Sequence, residues 1–166
     1  QNSSGDVLWL KNMGGSGVYD DGSDLVVDNS GNVYVCGNYC HSQYSDYLAE
    51  FGDVTLPSTG SQQNIFITKL NNAGETIWAK AYGSQNYAYE TAKGITIDND
   101  GNLYITGQFS DEMIFDGGIT LTAQGASIPQ TYVAKFNNSG VTQWAVTFTG
   151  NSKGVDIAYY NDKIYL

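Results

Sequence analysis

No arginine occurs in this chain of 166 residues, and it has a single histidine, two prolines and two cysteines. Each scarcity closes off a class of chemistry. Without arginine there is no planar fork to clamp a transferring phosphoryl group, and one histidine leaves little room for a nucleophilic triad. Neither a Gly-x-Ser-x-Gly elbow nor a phosphate loop is present. No apolar run approaches the ~20 residues that span a bilayer as a helix, so membrane insertion is not expected. A secretory leader is not recognisable, and no segment keeps helical periodicity. Positive charge is also short, with seven lysines against 17 acidic residues and a net charge of -10. Such a chain repels phosphate backbones and anionic lipid, so nucleic acid is not an expected partner, and the charge serves solubility.

The two cysteines, Cys36 and Cys40, admit three readings. A pair in an exported protein is often a disulfide. If the backbone stays extended through Tyr39, however, four residues at ~3.3 Å each put the Cα atoms about 13 Å apart. Bridging needs roughly 7 Å or less, so a sharp bend at Gly37 would be required. A zinc site from Cys36, Cys40 and His41 lacks a fourth ligand among the remaining cysteines and histidines. The expectation is two separate thiols, no metal and no cofactor.

What the chain has in quantity is glycine (20) and tyrosine (13), with Gly and Asn clustered between β-branched and aromatic runs. That pattern signals an all-β fold. Internal repetition sharpens it. Asp28-Asn-Ser-Gly-Asn-Val-Tyr-Val-Cys-Gly37 returns as Asp98-Asn-Asp-Gly-Asn-Leu-Tyr-Ile-Thr-Gly107. Thr68-Lys-Leu-Asn-Asn-Ala-Gly-Glu-Thr-Ile-Trp78 returns as Ala134-Lys-Phe-Asn-Asn-Ser-Gly-Val-Thr-Gln-Trp144. Gly5-Asp-Val-Leu-Trp9 carries the Trp motif a third time, and Lys163-Ile-Tyr-Leu166 the Tyr motif.

Each repeat divides into four strands, A to D. The first set is 24–28, 32–39, 65–71 and 75–82; the second is 94–98, 102–109, 131–137 and 141–148. The links within A–B and C–D have the Asn/Asp/Gly content of tight hairpins. Units of this kind bury their faces by radial stacking, so the predicted fold is all-β, a fragment of a β-propeller. Its expected divisions are 1–22 (strand D of a preceding or closing blade, and a link), 23–92 and 93–152 (blades), and 153–166 (the start of another). Ile65-Phe66-Ile67 and Tyr132-Val133-Ala134 are apolar on both faces, as a sheet covered on both sides requires. Trp9, Trp78 and Trp144 recur at one place in strand D and are read as packing between blades. Gln1 is compatible with a mature N-terminus or with an internal starting point. A stop inside a strand at Leu166 leads us to expect that the native protein continues.

These hairpins resemble the SBBP-type β-propeller repeats of bacterial secreted and surface proteins. Strands A and B resemble that family's Ile-x-Val-Asp-x-x-Gly-Asn-Val-Tyr-Val-x-Gly segment, and strands C and D its Phe-Val-x-Lys-x-x-x-x-Gly-x-x-x-Trp segment. The B–C insertions, from Phe51 through Leu56 to Gly60 and from Phe115 through Leu121 to Gly125, resemble a variant found in large exported proteins. The resemblance implies a scaffold or interaction surface, an extracellular or cell-surface location and, for many members, the type IX export route. Asn64 and Gln130 stand where the family usually has Asp before the Phe-Val strand. In the last copy, Tyr159-Tyr160-Asn161-Asp162-Lys163 shortens the A–B turn and lacks its Gly, predicting an irregular blade there.

Candidate chemistry was weighed against turn chemistry. Asp98-Asn-Asp100-Gly-Asn102 resembles the first half of a calcium loop, but position 107 is Gly where the bidentate Glu should fall, so a hairpin is expected. Asp20, Asp21, Asp24 and Glu90 gather in the D–A links, where a carboxylate pair would suit glycoside chemistry. Repeated carboxylates in repeated blades more often form turns. The expected function is a non-catalytic adhesion or ligand-binding module; the alternative is a propeller enzyme or carbohydrate-active domain. Predicted partners are a protein or a glycan on the face that carries the long B–C and D–A links, besides the remaining blades of the same chain. Tyr44, Tyr47, Tyr87 and Tyr89, with Glu90, are the candidate binding residues on that face, because long loops on a rigid scaffold carry contacts. Phe51 and Phe115 are expected to fold inward as loop anchors.

Overall fold

The computed structural model describes residues 4–15, 20–40, 48–56, 63–84, 88–125 and 128–166. In chain order its strands are β1 (Met13–Gly14), β2 (Asp21–Val27), β3 (Val33–Cys40), β4 (Ala49–Phe51), β5 (Val54–Leu56), β6 (Gln63–Leu70) and β7 (Thr76–Tyr82). There follow β8 (Glu90–Ile97), β9 (Leu103–Phe109), β10 (Glu112–Ile114), β11 (Thr120–Thr122), β12 (Gln130–Phe136), β13 (Thr142–Phe148), β14 (Ala158–Tyr160) and β15 (Lys163–Tyr165). Among the described residues a single 3-10 turn, Asp116–Gly118, interrupts them. The fold is all-β, and two four-stranded antiparallel sheets dominate it, β2-β3-β6-β7 and β8-β9-β12-β13. These are the two predicted blades, with strands A to D in order. The sheets do not close into a ring.

Matching registers show how far the repeat extends. Tyr34 faces Lys69 across β3 and β6, and Tyr104 faces Lys135 across β9 and β12. Lys69 in turn faces Trp78, and Lys135 faces Trp144. A register shift recurs in strand A, at Gly22/Asp24 and at Ala92/Gly94. The central strands are almost wholly buried; in β12 only Lys135 is not. The outer strand β13 is more open: from Trp144 onward exposed positions alternate with half-buried ones. That contrast is what a sheet covered on both faces but open at its outer edge should show.

The turn motifs work as the composition implied. Asp28 N–H donates to Asn32 O at 2.9 Å and Gly31 N–H to Asp28 O at 3.0 Å, closing a hairpin whose Gly31 has φ 79°. The Asp28 carboxylate accepts the N–H groups of Ser30 and Asn32, the Asn32 amide and the Tyr34 hydroxyl. Asp98 does the same for Asp100, Asn102 and Tyr104. Burial pushes both carboxyls up, but these donors outweigh it and hold them below the usual range. The hairpin reading of 98–102 therefore stands. Asn71 and Asn137 cap the C–D turns through the N–H groups two and four residues on.

Two expectations need correction. Residues 5–12 form no strand, although strand D was expected around Trp9; among the described residues no strand C lies beside them to complete a ladder. The shortened turn at 160–163 is also regular. Asn161 and Asp162 both take positive φ, 49° and 57°, so Asn-Asp supplies the two-residue turn that a tight hairpin favours.

Cys36 is a buried free thiol, pushed up to about 12 by burial and then by the Asp24 charge. Strand β3 stays extended through Cys40, which pairs with Gln63, so the bend that a bridge would need does not occur.

Candidate functional site

The loops divide the molecule into two unlike edges. On one edge lie the short turns: a Cβ on Gly31 would sit 3.3 Å from Asn72, and one on Gly101 3.8 Å from Asn138, so A–B and C–D turns are neighbours. The side chains of Asp28, Asp98, Asn71 and Asn137 here are committed to the caps described above. On the opposite edge lie the insertions and the links between blades.

Both insertions fold as hairpins, β4-β5 and β10-β11. Phe51 (0% exposed) and Phe115 (4%) anchor them inward, as expected. Phe51 packs on Phe66 with ring centroids 4.7 Å apart, and Phe115 on Tyr82, Tyr132 and Phe136. Each hairpin also reaches back to the chain just after the preceding Trp motif. β4 pairs with β1, and Ile114 N–H donates to Gly83 O at 3.2 Å. The long insertions are thus clasps between blades as well as surface, a role that sequence length alone did not disclose.

Of the five candidate binding residues, Tyr44, Tyr47 and Tyr87 lie outside the described residues. Tyr89 is 61% exposed. It bridges to Gln63, and its N–H lies 3.4 Å from Ser110 Oγ, so a link and two insertion ends converge on it. Glu90 differs. It opens β8 and is completely buried, so its carboxylate is not open to an external partner here. Period-two alternation explains the split, since neighbouring strand residues face opposite ways.

The other carboxylates of the D–A links also hold structure together. Asp20 accepts the Gly15 N–H, and Asp21 accepts from the Asn38 amide at 2.7 Å. Asp24 accepts Leu25 N–H through one oxygen and Ile95 N–H, from the next blade, through the other at 2.9 Å. Asn38 Oδ1 accepts Ala92 N–H at 2.8 Å across the same seam. Two amides at the bulged edge of β8 are therefore satisfied by side chains of the preceding blade. Sequence reasoning missed these contacts. The signal was the Gly that ends each Tyr motif: a Cβ on Gly107 would fall 1.8 Å from Thr91 O, and one on Gly37 2.0 Å from Asp21 O. Only glycine lets strand B approach the bulge so closely.

The tryptophans behave as inter-blade packing. Trp78 lies over Gly140 of the next blade, where a Cβ would sit 3.0 Å from the ring. Trp9 lies over Gly74 in the same way and donates from Nε1 to Asn72 O at 3.1 Å. Lys80 meets Asp116 at 2.9 Å, and the Tyr82 hydroxyl lies 3.0 Å from that carboxylate and 2.9 Å from Gly140 O. Burial and then the Asp116 charge push the Tyr82 phenol well up.

Four-stranded antiparallel sheets of this order, stacked with a Trp of one over a turn Gly of the next, are β-propeller blades. Residues 9–38 and 77–108 match the family model SBBP, described as a beta-propeller repeat, so these segments carry SBBP repeats. The chain is also 26% identical over 179 aligned positions to an "Uncharacterized WD repeat-containing protein L264" of Acanthamoeba polyphaga mimivirus. That alignment covers 96% of this chain and 13% of the relative, so the chain spans a small part of the relative's length.

Proposed function

We propose that this chain is a non-catalytic propeller scaffold whose long-loop edge meets a protein or glycan partner. The observation that carries the reading is the commitment of the repeated polar residues. Asp28, Asp98, Asn71 and Asn137 cap turns, and Asp20, Asp21 and Asp24 tie links and seams. What varies between the blades, and stands open, is the other edge, with Tyr89 exposed on it. An aromatic ring with a hydroxyl suits a sugar face or a protein surface, since the ring packs while the hydroxyl orients. An exported or cell-surface setting is part of the proposal; it rests on the resemblance to secreted bacterial repeats.

A glycan array with the purified chain tests the reading, beside a variant with Tyr44, Tyr47, Tyr87 and Tyr89 all replaced by Ala. Specific binding without turnover, lost in the variant, is the expected result. Binding unchanged in that variant, or lost instead on altering exposed turn residues such as Asn29 and Asn99, would contradict it. Bond cleavage abolished by a carboxylate substitution would favour an enzyme.

A further inference from the structure

The seam between the amino-terminal arm and the first blade differs from the seam between the blades at matching positions. In the second seam, Tyr82 places its ring centroid 5.4 Å from Phe115 and 5.3 Å from Phe136. Lys80 is paired with Asp116 there. Trp9, Lys11 and Met13 repeat the spacing of Trp78, Lys80 and Tyr82. By the same alignment Leu70 stands for Phe136, Val33 for Leu103 and Val35 for Ile105. Two rings and two methylenes are missing from the first seam. Gly52 follows Phe51 where Asp116 follows Phe115, and Lys11 meets no carboxylate among the described residues.

Those losses coincide with a cavity of about 440 Å³. It is lined by Trp9, Lys11, Met13, Asp24, Val35 and Leu70, among others. That volume is within the range of small-molecule sites, and the lining has the usual character of apolar walls with few polar groups. Asp24 already accepts a backbone N–H at each oxygen. Lys11 and the Ser23 hydroxyl are the polar groups left to orient a guest, and Lys11 is the cation among the lining residues.

We propose that this first seam is a ligand site for a flat aromatic molecule bearing one carboxylate. The ring supplies the volume that Tyr82 and Phe136 supply in the second seam, and the carboxylate meets Lys11 as Asp116 meets Lys80. The site does not depend on the scaffold reading.

The test is calorimetric titration of the whole chain with 2-naphthoate, and with the neutral 2-naphthamide as control. Because the net charge of -10 repels anions in general, any preference for the carboxylate must arise locally. One saturable site preferring 2-naphthoate is expected. Lys11→Met should weaken 2-naphthoate about two- to five-fold and erase the preference, the scale of a charge pair made by one exposed lysine. Leu70→Phe should restore a ring and reduce affinity at least about ten-fold by filling the space. Should Leu70→Phe unfold the chain, Val33→Leu makes the same test with one methylene. Absence of saturable binding, a carboxylate preference that survives Lys11→Met, or affinity unchanged in a folded cavity-filling variant would each overturn the proposal. So would self-association of the chain with 2-naphthoate excluded.

Discussion

The two seams hold the same Trp-on-Gly latch but fill the space behind it differently. Trp9 over Gly74 and Trp78 over Gly140 are alike in placement. Behind Trp78 lie a ring cluster and an ion pair; behind Trp9 lie Met13, the aliphatic Leu70, Val33 and Val35, and a cavity. The repeat thus specifies how blades grip one another and leaves the interior of each seam free to vary. Stability should follow the filling rather than the latch.

The largest test of that contrast is truncation of the two rings. Trp78→Ala should cost about 2–4 kcal/mol, because it opens a void against packed neighbours, whereas Trp9→Ala should cost about 1 kcal/mol or less. Urea unfolding of both variants checks this, and equal costs would break the comparison. Gly140→Ala comes next. It forces a non-glycine residue to φ 72° and drives a Cβ to 3.0 Å from Trp78. A loss of about 2 kcal/mol is expected, falling to about 1 kcal/mol when measured in a Trp78→Ala background, where only the backbone strain remains.

Smaller effects belong to the turn caps. Asp98→Ala and Asp28→Ala should each cost about 1 kcal/mol, the usual value of a lost side-chain cap. Both carboxyls are held below their unfolded value, so their stabilisation is present above the unfolded pKa and is lost as pH falls through the folded one. Thermal melts below about pH 4 should accordingly fall more steeply for the wild type than for a double Asp28→Asn, Asp98→Asn variant. The smallest effect is Lys80→Met. The pair with Asp116 is partly exposed, at 28% and 38% of the two side chains, so about 0–1 kcal/mol is expected.

Much of the architecture was legible in the residues because the repeat pairs turn chemistry with strand register. Asp-x-x-Gly-Asn fixed the A–B hairpins, and the Lys-to-Trp spacing located strands C and D. Phe51 and Phe115 were readable as anchors because each is a large apolar ring inside a polar, Gly-containing insertion. The shortened turn misled us, since a missing Gly suggested an irregular blade, yet Asn161 and Asp162 tolerate the left-handed region with short polar side chains. Glu90 next to Tyr89 looked like one exposed pair, and only the start of β8 between them separates their faces. The contacts of Asp24 and Asn38 across the seam were legible only in part: the Gly ending each Tyr motif marks the bulge, but nothing local names partners 71 and 54 positions away.

Adjacent blades should behave as one unit, and native-state hydrogen exchange at two amides tests that most directly. Ala92 and Ile95 donate to Asn38 and Asp24 of the preceding blade, so their protection requires the seam to be closed. If the blades unfold together, both amides should exchange with free energies within about 1 kcal/mol of the most protected central-strand amides, such as Ile105. Rapid exchange at Ala92 and Ile95 while Ile105 stays protected would show that the blades part independently, and would contradict the account.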